Sequence, residues 1–358
     1  MDEHDDELEL QSDDIEDEEV AIEYDIATYP SDFTLQGLYD MWTAKDIEMP
    51  EFQREFVWNI RQSSLLIESF LLGLPVPPVF FYIDEVHKNL VIDGQQRIMS
   101  IVFFFNGYFG FENLQGRRQV FRLAGLSENS PYHNKTFSEL IESDQRKLKH
   151  TVLRSINIRQ LSPKGQRTSI YHIFERLNTG GTPLKSQEIR NCVYRGDFVN
   201  VLRDLNTNKD WRNILGKQTF DKHQRDVELV LRVFALSKRV NDYEKPMKEF
   251  LNLAMDKNRS GASERVKHFK DDFNKTAHYI FENLGSKPFH IRGPLNTSVL
   301  DSVFCTVLDN LGKTPPNLKE RYQNLLKDSE FDETTYAATT DTRIIKKRFE
   351  LSKKYLID

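Results

Sequence analysis

The apolar periodicity of the chain changes once, near residue 195. Before that point short hydrophobic runs alternate with helical repeats; after it, every apolar pattern recurs at three and four residues. Such an order predicts an α+β protein: a small mixed sheet with its helices first, an all-helical domain second. The expected domain limits are 22–196 and 197–358, preceded by an arm over 1–21.

The arm follows from charge. Residues 1–25 hold 14 of the 55 acids and no Lys or Arg, so 41 acids face 49 bases in the rest. The arm is expected to be solvated and disordered. The formal charge of −6 therefore hides a mildly basic folded part, which permits nucleic-acid contact without requiring it. The acidic N-terminus is the opposite of a signal peptide, and apolar runs such as 98–105 are too short to span a bilayer. The two cysteines, Cys192 and Cys305, are far apart and outside any CxxC. These features place the chain in a reducing cytoplasm, with no membrane partner.

The spacing predicts helices over 34–42, 61–75, 95–106, 137–150, 165–178 and 182–196, and a β-hairpin over 79–84 and 88–93. Further strands are expected near 119–123 and over 152–161. In the helix at 61–75 the expected buried stripe is Leu65, Leu66, Phe70 and Leu74; Thr182 and Pro183 should open the last of the helices. Later helices are expected over 225–240, 298–311 and 341–356. The final one is basic. It reads as a solvated face over a packed Ile344, Ile345 and Phe349 stripe, with DNA phosphates as the second reading.

The stretch VIDGQQRIMSI (91–101) joins a strand to a helix through a turn rich in chemistry. Two readings stand side by side. In the first, Asp93 caps the helix and Gln96, three residues on, completes a capping box. In the second, the unsatisfied N–H groups of the helix start, Gly94 and Arg97 form a phosphate site. Arg97 adds positive charge where the helix dipole is already positive, which is unfavourable unless an anion or an acidic side chain answers it.

Four segments, PEFQREFVW, LIESFLLGLPVPPVFFY, VIDGQQRIMSI and FERLNTGGTPLKSQEIRNCVY, occur in that order. Together they resemble the GmrSD-type restriction endonuclease N-terminal domain family over roughly residues 30–240. The resemblance implies a ParB/sulfiredoxin-like fold and a place in a restriction system that defends against phage. It also implies that the DGQQR element binds, and in some members hydrolyses, a nucleoside triphosphate. Asp93, Gly94, Gln95, Gln96 and Arg97 would then form the nucleotide site. The chemistry is consistent: an arginine fork grips phosphate oxygens, and a carboxylate such as Asp93 could hold Mg²⁺ or orient an attacking water, as could a glutamine. Gln53 and Arg54 would act as a second phosphate clamp, or else Arg54 is a surface ion pair. Asn178, Thr179 and Gly180, between two helices, would line an anion cradle, or else cap those helices. Arg176 and Arg190 flank that loop.

Nine histidines form no HExxH or Cys/His cluster. His268, His278 and His290 also lack the spacing of the HNH nuclease domain that many two-part members of the family carry. The implied function is a nucleotide-binding, triphosphate-hydrolysing module that gates DNA binding or cleavage, with a separate nuclease chain as partner. The competing readings are a DNA-binding or nicking protein without nucleotide use, and a non-catalytic scaffold.

Overall fold

The computed structural model describes residues 8–10, 24–49, 56–84, 87–110, 118–162, 168–177 and 185–358. The expected Gln53, Arg54, Asn178, Thr179, Gly180, Thr182 and Pro183 lie outside them. The chain divides into two compact units, Tyr24–Pro183 and Leu184–Asp358, the latter also taking in the N-terminal residues.

The first unit is α+β. Its strands are β1 (Asp25–Thr34), β2 (Ile47–Glu48), β3 (Val79–Ile83), β4 (Asn89–Asp93), β5 (Tyr108–Phe109), β6 (Gln119–Val120) and β7 (Val152–Ser162). Its helices are α1 (Leu35–Thr43), α2 (Ile60–Leu72), α3 (Gln95–Asn106), α4 (Glu142–His150) and α5 (Thr168–Leu177). Five strands make one mixed sheet in the order β1-β7-β3-β4-β2, and β5 pairs β6 separately. The β3–β4 hairpin is antiparallel, while β3 runs parallel to β7 and β2 parallel to β4.

The core lies on one face of this sheet. Val79, Phe81, Ile83 and Val91 point into it, where they meet Leu38 of α1, Ile67 and Phe70 of α2, and Ile98, Ile101 and Val102 of α3. Alternate strand residues, Tyr82, Ile92 and Ile158, are buried on the other face, where α5 packs on β4.

α2 begins with a capping box, Asn59 with Gln62, and stops where Gly73 turns left-handed at φ 75°. Its buried face differs from the expected stripe: Leu66, Ile67, Phe70 and Leu71 are covered, while Leu65 and Leu74 are exposed. Ser63 and Ser64 share the buried face, and Ser63 accepts a hydrogen bond from Ser100 of α3 at 2.9 Å. Two small hydroxyl residues let the helices approach and rotate the stripe by one position. The helix expected at 137–150 is split into a single 3-10 turn, Phe137–Glu139, and α4.

The second unit is helical. It comprises α6 (Ser186–Val193), α7 (Asp197–Asn206), α8 (Lys209–Leu215), α9 (Arg225–Leu236), α10 (Met247–Lys257), α11 (Glu264–Leu284), α12 (Thr297–Asp309), α13 (Leu318–Lys327), α14 (Ser329–Glu333) and α15 (Thr342–Leu356). Every residue of α12 from Thr297 to Leu308 is buried, which marks it as the central helix. A buried ion pair, Arg232 to Asp301 at 2.6 Å, joins α9 to α12. In α15 the basic residues follow the solvated-face reading: Lys346 and Lys347 pair with Glu244 and Glu330, while Ile345 and Phe349 are buried. Arg348 departs from it, being fully buried and donating to the carbonyls of Thr334 and Thr339.

The N-terminal arm is not solvated throughout. Leu8 is buried in the helical unit, its N–H donating to Asp221 at 2.6 Å and its carbonyl accepting from Arg225 at 3.0 Å. Leu10 forms a parallel bridge with Leu295. Two leucines spaced for one face of an extended chain outweigh the acids around them.

Candidate functional site: the turn between β4 and α3

The chain leaves β4 at Asp93 and enters α3 through Gly94, whose φ is 103°. A Cβ on Gly94 would sit 2.3 Å from Cγ1 of Val79, the first residue of the neighbouring strand. Both the left-handed backbone and the close approach therefore require glycine. Across the hairpin, β3 has a register shift between Phe80 and Phe81, opposite Asp93.

Gly94 is the N-cap of α3, and no side chain caps the helix. The expected capping box from Asp93 to Gln96 is not formed. A glycine at the N-cap moves the helix start one residue on, and Asp93 remains part of the strand. Its carboxylate instead takes Arg97, whose Nη2 lies 2.7 Å from Asp93 Oδ2. The same Nη2 donates to the carbonyl of Pro78 at 3.2 Å. The charge of Arg97 at the positive end of the helix is thus answered inside the chain, by the acid four residues back. The pair stands at the surface on one side only: the Asp93 side chain is 51% exposed and that of Arg97 16%. Nε of Arg97 is buried with no hydrogen-bond partner, and Nη1 has no acceptor among the described residues.

The two glutamines separate. Gln95 is buried. Gln96 turns its Oε1 to the backbone N–H groups of Val57 and Trp58, at 3.1 and 3.2 Å. That segment is also fixed by Phe56, whose ring meets Phe103 of α3 edge-on at 5.0 Å. Gln96 is therefore a brace between the first turn of α3 and the chain that follows PEFQR. Arg190 is buried in the helical unit, where it donates to Glu228 at 2.8 Å and Asn252 at 3.0 Å.

Among the described residues, Asp93, Gly94, Gln95, Gln96 and Arg97 lie on one strand–turn–helix, as their sequence adjacency demands. Residues the sequence reading missed are Val79, which makes Gly94 obligatory, and the carbonyl of Pro78, which orients Arg97. The hairpin pattern held the clue, since it sets the start of β3 beside the end of β4.

The turn can do two things chemically. An uncapped helix start offers main-chain N–H groups to an oxyanion. Beside it, Arg97 keeps one buried donor and one free guanidinium edge for the same anion. A divalent cation has less support from the protein. Asp93 is a single carboxylate already bonded to Arg97, and no group of three His, Cys, Asp or Glu converges among the described residues.

Residues 35–195 match the family model of the GmrSD restriction endonuclease, N-terminal domain. Residues 35–195 are similar to a GmrSD-type N-terminal domain. The match spans α1 to α6 and includes the whole β4–α3 turn. It ends one helix beyond the division of the chain into packed units at Pro183, because α6 packs with the helical unit. Comparison with curated proteins finds no match. Among solved structures, a Pnob8-like ParB-N domain in its C2221 form is similar at 11% identity, over 93% of this chain and 100% of that one, with a TM-score of 0.22. Among the described residues no helix is long and apolar enough to cross a membrane.

Proposed function

We propose that this chain is the nucleotide-binding component of a DNA restriction system acting in phage defence. In this reading the β4–α3 turn binds a nucleoside triphosphate, and occupancy gates DNA binding or cleavage. The reading rests on one observation: Arg97 stands at an uncapped helix start, with a buried Nε that no atom of the described residues satisfies. A buried guanidinium donor left unpaired costs about 1–3 kcal/mol, which an oxyanion at the turn would recover. The family match to a restriction endonuclease domain supports the setting.

Arg97 and the N–H groups at the start of α3 hold the phosphates. Asp93 competes with them for Arg97; once the fork turns to phosphate, its carboxylate is released to bind Mg²⁺ or orient water. Mg²⁺, when bound, would offset phosphate charge, with Asp93 as its protein ligand. Gln96 positions the 56–58 segment beside the phosphates. The Asp93 contact therefore opposes binding, and hydrolysis depends on the carboxylate that the exchange releases. DNA cutting is assigned to a partner chain.

Titration of ATP, GTP and CTP with Mg²⁺ by calorimetry tests the reading. At least one should bind to the wild type, and Arg97→Ala should weaken it roughly tenfold or more. Melting should change little, because a pair open to solvent on its Asp93 side is worth about 0.5 kcal/mol and Arg97→Ala also removes the unpaired buried Nε. Asp93→Asn should tighten Mg²⁺-free binding by removing the competitor, and should abolish any phosphate release. If no triphosphate binds while duplex DNA does, with affinity falling steeply in salt, the DNA-binding reading replaces this one. If neither binds, the Asp93–Arg97 pair is a structural latch of a scaffold.

A further inference from the structure

The helical unit holds a second cationic site. A cavity of about 340 Å³ opens at the C-terminal end of α9, between α9, α10 and the first turn of α11. Its volume lies at the lower end of the range for small-molecule sites. One wall is apolar, from Ala235 of α9 and Phe250, Leu253 and Ala254 of α10. The other wall carries Arg239, Lys257 and Arg265, with Asp242 as the sole carboxylate of the lining.

Arg265 is the informative group. Its Nη2 donates to the carbonyls of Phe234, Ala235 and Ser237 at 2.5, 3.4 and 3.4 Å, closing the end of α9. Its guanidinium lies over the Phe234 ring, with Cζ 4.2 Å from the centroid. No carboxylate lies within ion-pair distance of it among the described residues, and its Nε and Nη1 have no protein acceptor there. Burial, with Arg239 adding to it, pushes its pKa down to about 10, and Asp309 and Asp242 offset this only in part. The carboxylate of Asp309 is engaged elsewhere, by the Ser237 hydroxyl and the N–H of Lys238. Asp242 sits 3.7 Å from Arg239, at the rim. A helix-capping role explains Nη2 and the stacking on Phe234. It does not explain a second arginine and a lysine around an unfilled space beside an apolar wall.

We propose that this cavity binds a small organic oxyanion, with the anionic head on Arg265 and Arg239 and an apolar body against Leu253 and Ala254. Two guanidiniums with unspent donors match the head, and the α10 wall matches the body. The inference is independent of the triphosphate reading of the first unit.

Phenyl phosphate, inorganic phosphate and phenol, titrated separately into the full chain by calorimetry, test it. Phenyl phosphate should bind roughly tenfold or more tightly than either fragment, since each satisfies one wall only. Arg239→Gln should weaken it by a similar factor, and Ala254→Trp, which fills the cavity from a half-exposed position, should abolish it. Circular dichroism checks that both variants keep their helices. Arg97→Ala should leave this binding intact. The inference is overturned if phenyl phosphate binds no more tightly than inorganic phosphate or fails to bind. It is equally overturned if folded Ala254→Trp binds like wild type, or if Arg97→Ala removes the binding.

Discussion

Gly94 carries two separate demands, a left-handed backbone and contact with Val79 at a distance no Cβ tolerates. Gly94→Ala should therefore cost about 3 kcal/mol or more in chemical denaturation, combining strain at positive φ with overpacking. In a Val79→Gly background the same change should cost about 1 kcal/mol less, because the clash with Cγ1 and Cβ of Val79 is gone and the backbone part remains. Equal costs in both backgrounds would show that the close approach is unimportant. The residues at this turn also show what adjacency hides. Asp93 and Gln96 have the spacing of a capping box, and a glycine at the true N-cap sends one to Arg97 and the other to the 57–58 backbone. Spacing fixes which side chains are near the helix start; the backbone conformation of a single residue decides which of them face it.

Among the elements, α3 and the hairpin before it were legible because their patterns agree with their propensities: β-branched and aromatic runs, a glycine, then an apolar face at helical spacing. β1 was not. Its ten residues, DIATYPSDFT, include Pro30, Asp25 and Asp32 and lack alternation, yet they pair with β7 along their whole length. An edge strand needs a partner on one side only and tolerates proline, so its sequence need not read as a strand. The 3-10 turn before α4 has its own electrostatic signature. Arg122, with the N–H of Thr136, holds the Glu139 carboxyl below the usual carboxylate range. A lowered folded pKa means stability that is present above the unfolded value and lost as pH falls through the folded one. NMR titration should find Glu139 protonating below the usual glutamate range, and Arg122→Ala should raise its midpoint toward the ordinary value. A Glu139 midpoint unchanged by that substitution would exclude Arg122 as the cause.

On the scale of the whole molecule, the N-terminal residues contribute to the helical unit although they precede the α+β unit in sequence. Leu8, 3% exposed, and the bridge from Leu10 to Leu295 place residues 8–10 on the helical unit. Leu8→Asp should destabilise the helical unit by about 2 kcal/mol, the value of one buried leucine, read as a lower melting temperature. Hydrogen exchange should show the loss in the residues near Asp221 and Leu295 rather than in α3. No change in melting would mean that the segment is only resting there. Composition and periodicity alone determined the α+β-then-helical order, the β3–β4 hairpin and the clustering of Asp93 to Arg97, because local propensity and short-range adjacency act within a few residues. The tertiary structure alone decided that Arg97 is answered by Asp93, that Gly94 must clear Val79, that Arg190 serves Glu228, and that three cations surround a cavity beside α10. Each of those depends on groups brought together across turns and between helices, where distance in space rather than in sequence sets the electrostatics and the packing.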